Sequence, residues 1–302
     1  MRLVVALGGN ALLKRGQTPD ALPQEDNVRV AVQALAPMAG EHEMVVTHGN
    51  GPQIGLLAVE SAADPSLTLP YPFDVLGAQT QGMIGYWLLQ ALQNELPGRE
   101  IAAIINQTLV AADDPAFADP AKFIGVVYDE AEAKRLAAAR DWTVKADGDR
   151  WRRVVGSPEP QEVVETKLIR LLLDTGAVVV CAGGGGVPVI RDEAGDLQGV
   201  EAVVDKDHTA SVLARSLGAD ALLILTDVAN VFRDFGTPAE APIGRITPDE
   251  LRSHDFPAGS MGPKVEAACR FVEATGGVAG IGRLQDAAAM LAGTAGTFIS
   301  PD

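Results

Sequence analysis

The chain has 302 residues, of which 47% are hydrophobic, and it carries a formal net charge of −16 at pH 7. This length allows a large core, in one domain or in two lobes. Because no basic run interrupts the acidic charge, we expect neither nucleic acid nor an anionic membrane as a partner. No segment is apolar over the length needed to span a membrane, and no secretory signal is expected at the N-terminus.

The two cysteines indicate the redox environment. Cys181 ends an apolar run, and Cys269 falls within a predicted helix. Both are predicted to be small buried hydrophobic residues rather than disulfide partners. Since free thiols persist in a reducing compartment, we expect a cytoplasmic protein.

The first predicted element is a strand over residues 3–7, whose five apolar residues are typical of a strand buried on both faces of a parallel sheet. Gly8, Gly9 and Asn10 follow, where this strand should turn into a helix. Glycine lets a ligand approach the main-chain N–H groups, and amides in such a concavity bind anions, above all phosphate. Taken alone, the turn is explained at least as well by a tight connection without a ligand.

Further predicted strands end in similar glycine-rich turns. A Gly-Asn-Gly turn occupies residues 49–51, and four consecutive glycines occupy residues 183–186. The stretch before Lys206 is another predicted strand end. Ligands of open α/β sheets lie outside the carboxyl ends of the strands, so these turns together predict one polyanion site.

Hydrophobic periodicity predicts alternating helices and strands along most of the chain. Helices are predicted over residues 26–39, 74–96, 129–140, 162–175, 207–217, 261–275 and 284–291. Strands are predicted over residues 3–7, 43–48, 101–105, 177–181, 221–225, 277–281 and 296–299, with hairpins over 142–155 and 187–204. This alternation predicts an α/β fold, a three-layer αβα sandwich around a mainly parallel sheet.

Residues 111–156 interrupt this alternation. The segment begins with turn-rich sequence to about Gly125, continues as a charged helix and ends in a hairpin around Asp147-Gly148-Asp149. We name residues 111–156 the flap, because the pattern predicts a small protruding subdomain that lies over a site. A surface insertion without a role is the alternative, and size alone does not decide between them.

Several common catalytic motifs are missing from the sequence. There is no GxxxxGK[ST] phosphate loop, and the glycine-rich turns do not match the dinucleotide fingerprint. The four histidines are scattered, and histidines and cysteines show no metal-ligand spacing. No serine has the flanking glycines of a nucleophile elbow. The candidate chemistry therefore lies in charged side chains among the glycines.

Three lysines lie in such surroundings. Lys206 stands between Asp205 and Asp207 at a strand-to-helix junction, Lys264 stands at the opening of a helix, and Lys122 lies in the flap. Helix N-termini favour anions, and phosphoryl transfer needs positioned charge rather than covalent chemistry. We therefore predict a small-molecule phosphotransferase without a Walker motif. From spacing alone, Lys122 is either solvated or functional.

These motifs resemble those of the carbamate kinases, within the amino-acid kinase family. The likeness covers essentially the whole chain, and several motifs are particular to carbamate kinases. The matching stretches are ALGGNALL (6–13), THGNGPQIG (47–55), TQGMIGYW (80–87), DDPAF (113–117) with Lys122, RRVVGSPEP (152–160), CAGGGGVPVI (181–190), EAVVDKD (201–207), LTDV (225–228) and GSMGPKVEAA (259–268).

The resemblance implies one amino-acid kinase domain over residues 1–302, with an open eight-stranded sheet, that works as a homodimer. Its N-terminal half, about residues 1–182, would hold carbamate or carbamoyl phosphate, and its C-terminal half, about 183–302, would hold MgATP or MgADP. The implied reaction is ADP + carbamoyl phosphate ⇌ ATP + carbamate, after which carbamate decays to ammonia and carbon dioxide. The implied pathway is arginine catabolism through arginine deiminase.

The family's functional residues carry over to matching positions. Backbone amides around the carbamoyl and transferring phosphoryl groups would come from Gly8, Gly9, Asn10, Gly49, Asn50 and Gly51. Lys206 would neutralise the transferring phosphoryl group, Asp205 would orient Lys206, and Lys122 would close from the flap. Lys264 would reach the nucleotide phosphates. The nucleotide pocket would be lined by Asp227, Val228, Met261 and Pro263. No protein metal site is implied, because the nucleotide phosphates would hold the Mg²⁺.

The flap departs from the family pattern. Where the family usually has Lys-Pro-Ile-Gly-Pro-Phe-Tyr, Phe123, Val126 and Val127 replace both prolines and the phenylalanine. These changes leave the charged groups intact and bear on how rigidly the flap closes. Because Lys122 lies in an acidic, turn-rich segment, we predict that it lacks an anchor in the free protein until a phosphoryl group binds.

Two other functions remain open from the sequence. An acyl-phosphate-forming amino-acid kinase, such as an acetylglutamate kinase, would share the sandwich and two of the lysines. That class lacks the flap lysine and the THGNGPQ stretch. A non-catalytic sensor of nucleotide or carbamoyl phosphate would not need Lys122, Asp205, Lys206 and Lys264 together.

Overall fold

The structure, a computed structural model, describes residues 1–14, 16–257 and 259–301. In chain order its strands are β1 (Arg2–Leu7), β2 (Glu43–His48), β3 (Ile101–Ala103), β4 (Gln107–Val110), β5 (Lys122–Tyr128), β6 (Thr143–Asp147), β7 (Arg150–Val155), β8 (Pro160–Val163), β9 (Val178–Val180), β10 (Val187–Arg191), β11 (Leu197–Gly199), β12 (Ala221–Thr226), β13 (Phe232–Arg233), β14 (Ala241–Pro242), β15 (Arg245–Ile246), β16 (Val278–Arg283) and β17 (Thr297–Ile299). The α-helices are α1 (Ala21–Glu41), α2 (Gly51–Ala63), α3 (Phe73–Glu95), α4 (Glu130–Arg140), α5 (Thr166–Asp174), α6 (Lys206–Leu217), α7 (Pro248–Arg252), α8 (Met261–Thr275) and α9 (Ala287–Leu291).

Within the described residues, the largest sheet has eight strands in the order β15-β17-β16-β12-β1-β2-β9-β3. Every neighbouring pair is parallel except β16 and β17, which are antiparallel. Helices α5, α6 and α8 pack on one face of this sheet, and α1, α3 and α9 pack on the other. The predicted three-layer αβα sandwich with a mainly parallel, eight-stranded sheet is confirmed.

Strand β1 lies near the centre of this sheet, between β12 and β2. Successive side chains of a strand point to opposite faces. Val4 and Ala6 accordingly lie in the core on the α6 and α8 side, and Leu3, Val5 and Leu7 lie in the core on the α1 and α3 side. All five side chains are fully buried, as their unbroken apolar run predicts.

Several elements differ from the predicted pattern, and α2, β5 and β8 show why. The pattern does not predict α2, because Gly51 and Pro52 are typical turn residues, although proline is also favoured in the first turn of a helix. Strand β5 occupies sequence predicted to be turn-rich, and β8 occupies the start of the predicted helix over 162–175. Both strands form by pairing with distant segments, β5 with β7 and β8 with β4.

The flap contains its own antiparallel sheet in the order β5-β7-β6, with α4 between β5 and β6 in sequence. Its hairpin turns at Gly148, which has φ +66, as the Asp-Gly-Asp sequence predicts. Gly125 lies in an irregularity of β5 and has φ +70. A Cβ on Gly55 of α2 would lie 2.8 Å from the Gly125 Cα. These two glycines therefore let β5 lie directly on α2.

Both cysteines are free and buried, as predicted. Burial raises the pKa of both thiols, that of Cys269 to about 11. Neither sulfur is therefore a thiolate near neutral pH.

Candidate active site

The carboxyl ends of β1, β2 and β12 bring two glycine turns together. The Gly8 N–H donates to the Leu225 carbonyl at 2.8 Å, which holds the first turn against the end of β12. A Cβ on Gly49 would lie 2.9 Å from the Gly9 nitrogen and 3.5 Å from Lys206 Cδ. A larger residue at position 49 would therefore separate the two turns. The convergence of these strand ends also places Lys206 beside both turns.

The four-glycine turn after β9 packs against the same region. Gly184 has φ +64, and a Cβ there would overlap the side-chain amide of Asn50. Asn50 is buried, and its Nδ2 donates to Thr80 Oγ1 at 2.8 Å. The Asn50 side chain is thus occupied by contacts with Thr80 and Gly184 inside the protein. At the N-cap of α2, it is the backbone of this turn that offers N–H groups to a ligand.

His48 is a site residue that the sequence does not predict. It ends β2, it is buried, and its Nδ1 donates to the Gly49 carbonyl at 3.0 Å. Burial lowers the pKa of this imidazole to about 4; the Lys206 charge adds to this effect, and the hydrogen bond to Gly49 opposes it. The ring is therefore neutral near neutral pH and fixes the Gly49 peptide. In the sequence, the one sign of this role is the position of His48 directly before a Gly-Asn-Gly turn.

The three candidate lysines meet around two aspartates. Lys206 Nζ contacts Asp207 Oδ1, and Lys264 Nζ lies 3.0 Å from Asp207 Oδ2. Lys122 Nζ lies 3.2 Å from Asp205 Oδ2. Three ammonium groups thus converge on two carboxylates, where an anion could approach them.

Lys206 contacts Asp207 directly, whereas the family resemblance implies that Asp205 orients it. Asp205 instead pairs with Lys122 and caps α6, where it accepts from the N–H groups of Asp207 at 2.9 Å and His208 at 3.3 Å. An N-cap carboxylate turns back onto the first helical amides. Asp207, inside the first turn, is thereby left to pair with Lys206.

The prediction that Lys122 lacks an anchor is wrong. Its Nζ donates to Asp205 and also lies 3.4 Å from the Val204 carbonyl. Both partners lie outside the flap, directly before α6, so the sequence around Lys122 carries no signal of them. The lysine therefore connects the flap to the start of α6.

Burial and charge oppose each other within this cluster. Burial raises the pKa of Asp207, but Lys206 and Lys264 outweigh it and hold that pKa below its usual value. Burial lowers the pKa of Lys206, and the charge of Lys264 lowers it further. The negative charge of Asp207 raises this pKa, but by less than the other two effects lower it. For Lys264, burial is outweighed by Asp207, and its pKa is raised. Of these two ammonium groups, Lys206 therefore holds its proton less firmly.

A hydrogen bond joins the predicted substrate side to the predicted nucleotide side. Asn10 Nδ2 donates to Asp227 Oδ2 at 2.8 Å. Asp227 directly follows β12, and its charge also acts on Lys264 in the first turn of α8. The other residues predicted to line the nucleotide pocket are half-buried: Val228, Met261 and Pro263. Their role toward a nucleotide stays a prediction.

Within residues 1–14, 16–257 and 259–301, no group of three or more histidines, cysteines, aspartates and glutamates is placed to hold a metal ion. Across the same ranges, no helix combines the length and apolar character that a membrane span needs.

Glycine-rich strand ends that face clustered lysines are typical of a phosphotransferase. The sequence matches the amino acid kinase family over residues 1–280. The carbamate kinase of Rhizobium meliloti is 52% identical over 99% of this chain and 93% of that protein. The carbamate kinase of Haemophilus influenzae is 47% identical over 99% and 97%, respectively.

Solved structures give the same result. The carbamate kinase from Giardia lamblia bound to AMP-PNP superposes with a TM-score of 0.92 at 39% identity, covering 100% of this chain and 98% of that chain. The chain therefore belongs to the amino-acid kinase family. The resemblance to carbamate kinases that the motifs predict is confirmed, and the protein is a kinase.

Proposed function

We propose that this protein transfers a phosphoryl group reversibly between carbamoyl phosphate and ADP, as a carbamate kinase. The observation that carries the proposal is the cluster of Lys122, Lys206 and Lys264 beside the glycine turns at the ends of β1 and β2. The carbamate kinases that match over the full length support this choice of substrate. AMP-PNP in the Giardia enzyme supports the choice of nucleotide.

Each part of the site has a task in that reaction. The carbamoyl and transferring phosphoryl groups would lie against the amides of residues 8–10 and 49–51. Lys206 lies beside both turns, so its ammonium group would neutralise the transferring phosphoryl group. Lys122 would approach the same group from the flap, and Lys264 would bind the nucleotide phosphates. Positioning and charge stabilisation suffice for phosphoryl transfer, so no covalent enzyme intermediate is needed.

The donor set of the site fits nucleotide phosphates better than it fits a resident metal ion. Lys206 and Lys264 offer ammonium groups, and no cluster of metal-binding side chains lies within the described residues. Mg²⁺ would therefore arrive on ATP or ADP, where it neutralises phosphate charge. The nucleotide pocket would be lined by Asp227, Val228, Met261 and Pro263 in the C-terminal half.

Exposed apolar side chains support the homodimer that the family resemblance implies. Strand β3 is an edge strand of the main sheet, and α3 packs against it. Tyr86 on α3 and Ile105 just after β3 are each 56% exposed. A contiguous apolar surface at this edge of the sheet would suit an interface with a second copy. Light scattering of the purified protein is expected to give the mass of a dimer, and a monomer mass would contradict this assignment.

An assay of ATP formation from MgADP tests the proposed reaction. Carbamoyl phosphate is expected to give a kcat/KM roughly 10²-fold or more above that of acetyl phosphate or N-acetylglutamyl phosphate. The reason is that the glycine turns offer amides but few side-chain groups for a larger acyl donor. A comparable kcat/KM for the N-acetylglutamyl donor would assign the protein to another branch of the family. Binding of both ligands without ATP formation would make it a sensor.

A further inference from the structure

Glu159 lies just beyond the flap and touches three other parts of the chain. Its Oε2 accepts a hydrogen bond from His208 Nδ1 at 3.1 Å, and its Oε1 pairs with Arg270 of α8. Its backbone N–H donates to Asp114 Oδ2 at 2.9 Å, and Asp114 belongs to the first residues of the flap. Glu159 therefore ties the flap to α6 and α8.

The two ends of the flap meet in the same place. A Cβ on Gly156 would lie 3.0 Å from the Ala116 carbonyl oxygen, and the Ala116 N–H donates to Asp114 Oδ1 at 2.8 Å. The Val203 N–H donates to the Gly156 carbonyl at 3.0 Å. We call these residues, with Glu159, the flap base. The flap base thus includes the segment that leads into α6.

His208 connects the flap base to the lysine cluster. It belongs to the first turn of α6, two residues after Lys206, and its N–H lies 3.3 Å from Asp205 Oδ1. The other oxygen of that carboxylate pairs with Lys122 at 3.2 Å. The His208 Nε2 is buried and makes no hydrogen bond with the described residues. A continuous series of contacts therefore runs from Glu159 through His208 and Asp205 to Lys122.

The charges of Glu159, Asp205 and Arg270 act on the His208 ring. Burial and Arg270 disfavour the imidazolium form, but the hydrogen bond to Glu159 and the two carboxylates outweigh them and raise the pKa of His208. The hydrogen bond from His208 in turn lowers the pKa of Glu159. The two side chains therefore stay an ion pair over a wider pH range than an unperturbed histidine would allow.

We propose that Glu159 and His208 are positioning residues for phosphoryl transfer, whose ion pair holds the flap base on the first turn of α6. This contact fixes Lys122 relative to Lys206, because both lysines depend on the geometry of that turn. The kinetic consequences rest on the proposed function, whereas the mechanical link between flap and helix does not. Both residues act through Asp205 and the flap rather than on the substrate.

Kinetics of His208→Asn and His208→Ala test this role. Asparagine can place a donor near the Nδ1 position but carries no charge, and alanine provides neither. In both variants kcat for ATP formation is expected to fall roughly 10- to 100-fold, with the larger fall in alanine, because small misplacements of charged groups cost that much. The KM for ADP should stay near the wild-type value. His42→Asn is the matched control, since His42 follows α1 at the opposite end of the sheet.

The pH profile separates this role from a purely structural one. Because the folded-state pKa of His208 is raised, the ion pair is complete below the usual value of 6.5 and is lost as pH rises through the folded-state pKa. Wild-type kcat is expected to show an alkaline limb as His208 loses its proton. His208→Asn is expected to lack this limb and to keep only the decline at higher pH that deprotonation of Lys206 causes. Adding Lys122→Ala to His208→Asn should cost less than Lys122→Ala costs alone, since both act through one network.

Three outcomes would overturn the proposal: unchanged kcat in both His208 variants, the same alkaline limb in His208→Asn, or losses that multiply with that of Lys122→Ala. If the wild-type protein forms no ATP from carbamoyl phosphate, the proposed function fails, but hydrogen exchange still tests the inference. Amides of residues 111–156 are expected to exchange faster in Glu159→Gln than in wild type, and equal exchange would show that the ion pair does not hold the flap.

Discussion

Lys206→Ala is expected to lower kcat for ATP formation by roughly 10²–10³, the loss that follows removal of one preorganised group that stabilises transition-state charge. Only 13% of the Lys206 side chain is exposed, and it lies beside the turns at residues 8–10 and 49–51. When the lysine is removed, water therefore has little access to the site and cannot stabilise the phosphoryl charge in its place. Nucleotide affinity should change little, because Lys264 keeps its contact with Asp207. Steady-state kinetics and titration with MgADP measure the two quantities separately.

Lys145→Ala is the matched control for this substitution. Lys145 lies in the flap, pairs with Asp119 at 2.6 Å and has 40% of its side chain exposed, so its loss should leave kcat unchanged. Lys206→Ala should also remain folded, because Asp207 retains Lys264 as a partner. Turnover near the wild-type rate in a folded Lys206→Ala protein would show that another group neutralises the phosphoryl group.

The layered fold can be predicted from the sequence because its signal is local. The apolar run over residues 3–7 is typical of a strand that is covered on both faces, and the structure buries all of it. The helical stripe over residues 261–275 gives the bounds of α8 as the structure has them. Strand β8 escapes prediction because it forms by antiparallel pairing with β4, some fifty residues away, and its own pattern also fits the start of a helix.

The candidate site can be predicted only in part, for a related reason. Glycine turns and lysines at strand ends carry their chemistry within a few residues, so the sequence locates them. Contacts between residues that lie far apart in the sequence leave no local pattern. Lys122 contacts Asp205 across 83 positions, and His208 contacts Glu159 across 49. Adjacency can also mislead, because Asp205 and Asp207 flank Lys206 equally. Only the capping geometry of α6 decides which of them pairs with it.

Asp207→Asn is expected to lower the free energy of unfolding by about 3–5 kcal/mol, because it leaves two ammonium groups without their shared carboxylate. Asp207 is 2% exposed, and it contacts both Lys206 and Lys264. The side chains of these lysines are largely shielded as well, so solvent compensates poorly. Urea unfolding near neutral pH measures the change. Asp174→Asn, which removes a largely exposed partner of Arg2, is the matched control and should cost under about 1 kcal/mol.

The pH dependence of that loss distinguishes charge from packing. The folded-state pKa of Asp207 is lowered, so its carboxylate contributes stability above its usual value of 3.8 and loses that contribution as pH falls through the folded-state pKa. The difference in unfolding free energy between wild type and Asp207→Asn should therefore be full near neutral pH and shrink in acid. In the variant, Lys206 loses the charge that opposes its burial, so its pKa should fall and kcat should decline at a lower pH than in wild type. A stability difference that stays constant into acid, with an unshifted kcat profile, would mean that altered hydrogen bonding at position 207 causes the loss and that the Asp207 charge holds neither lysine.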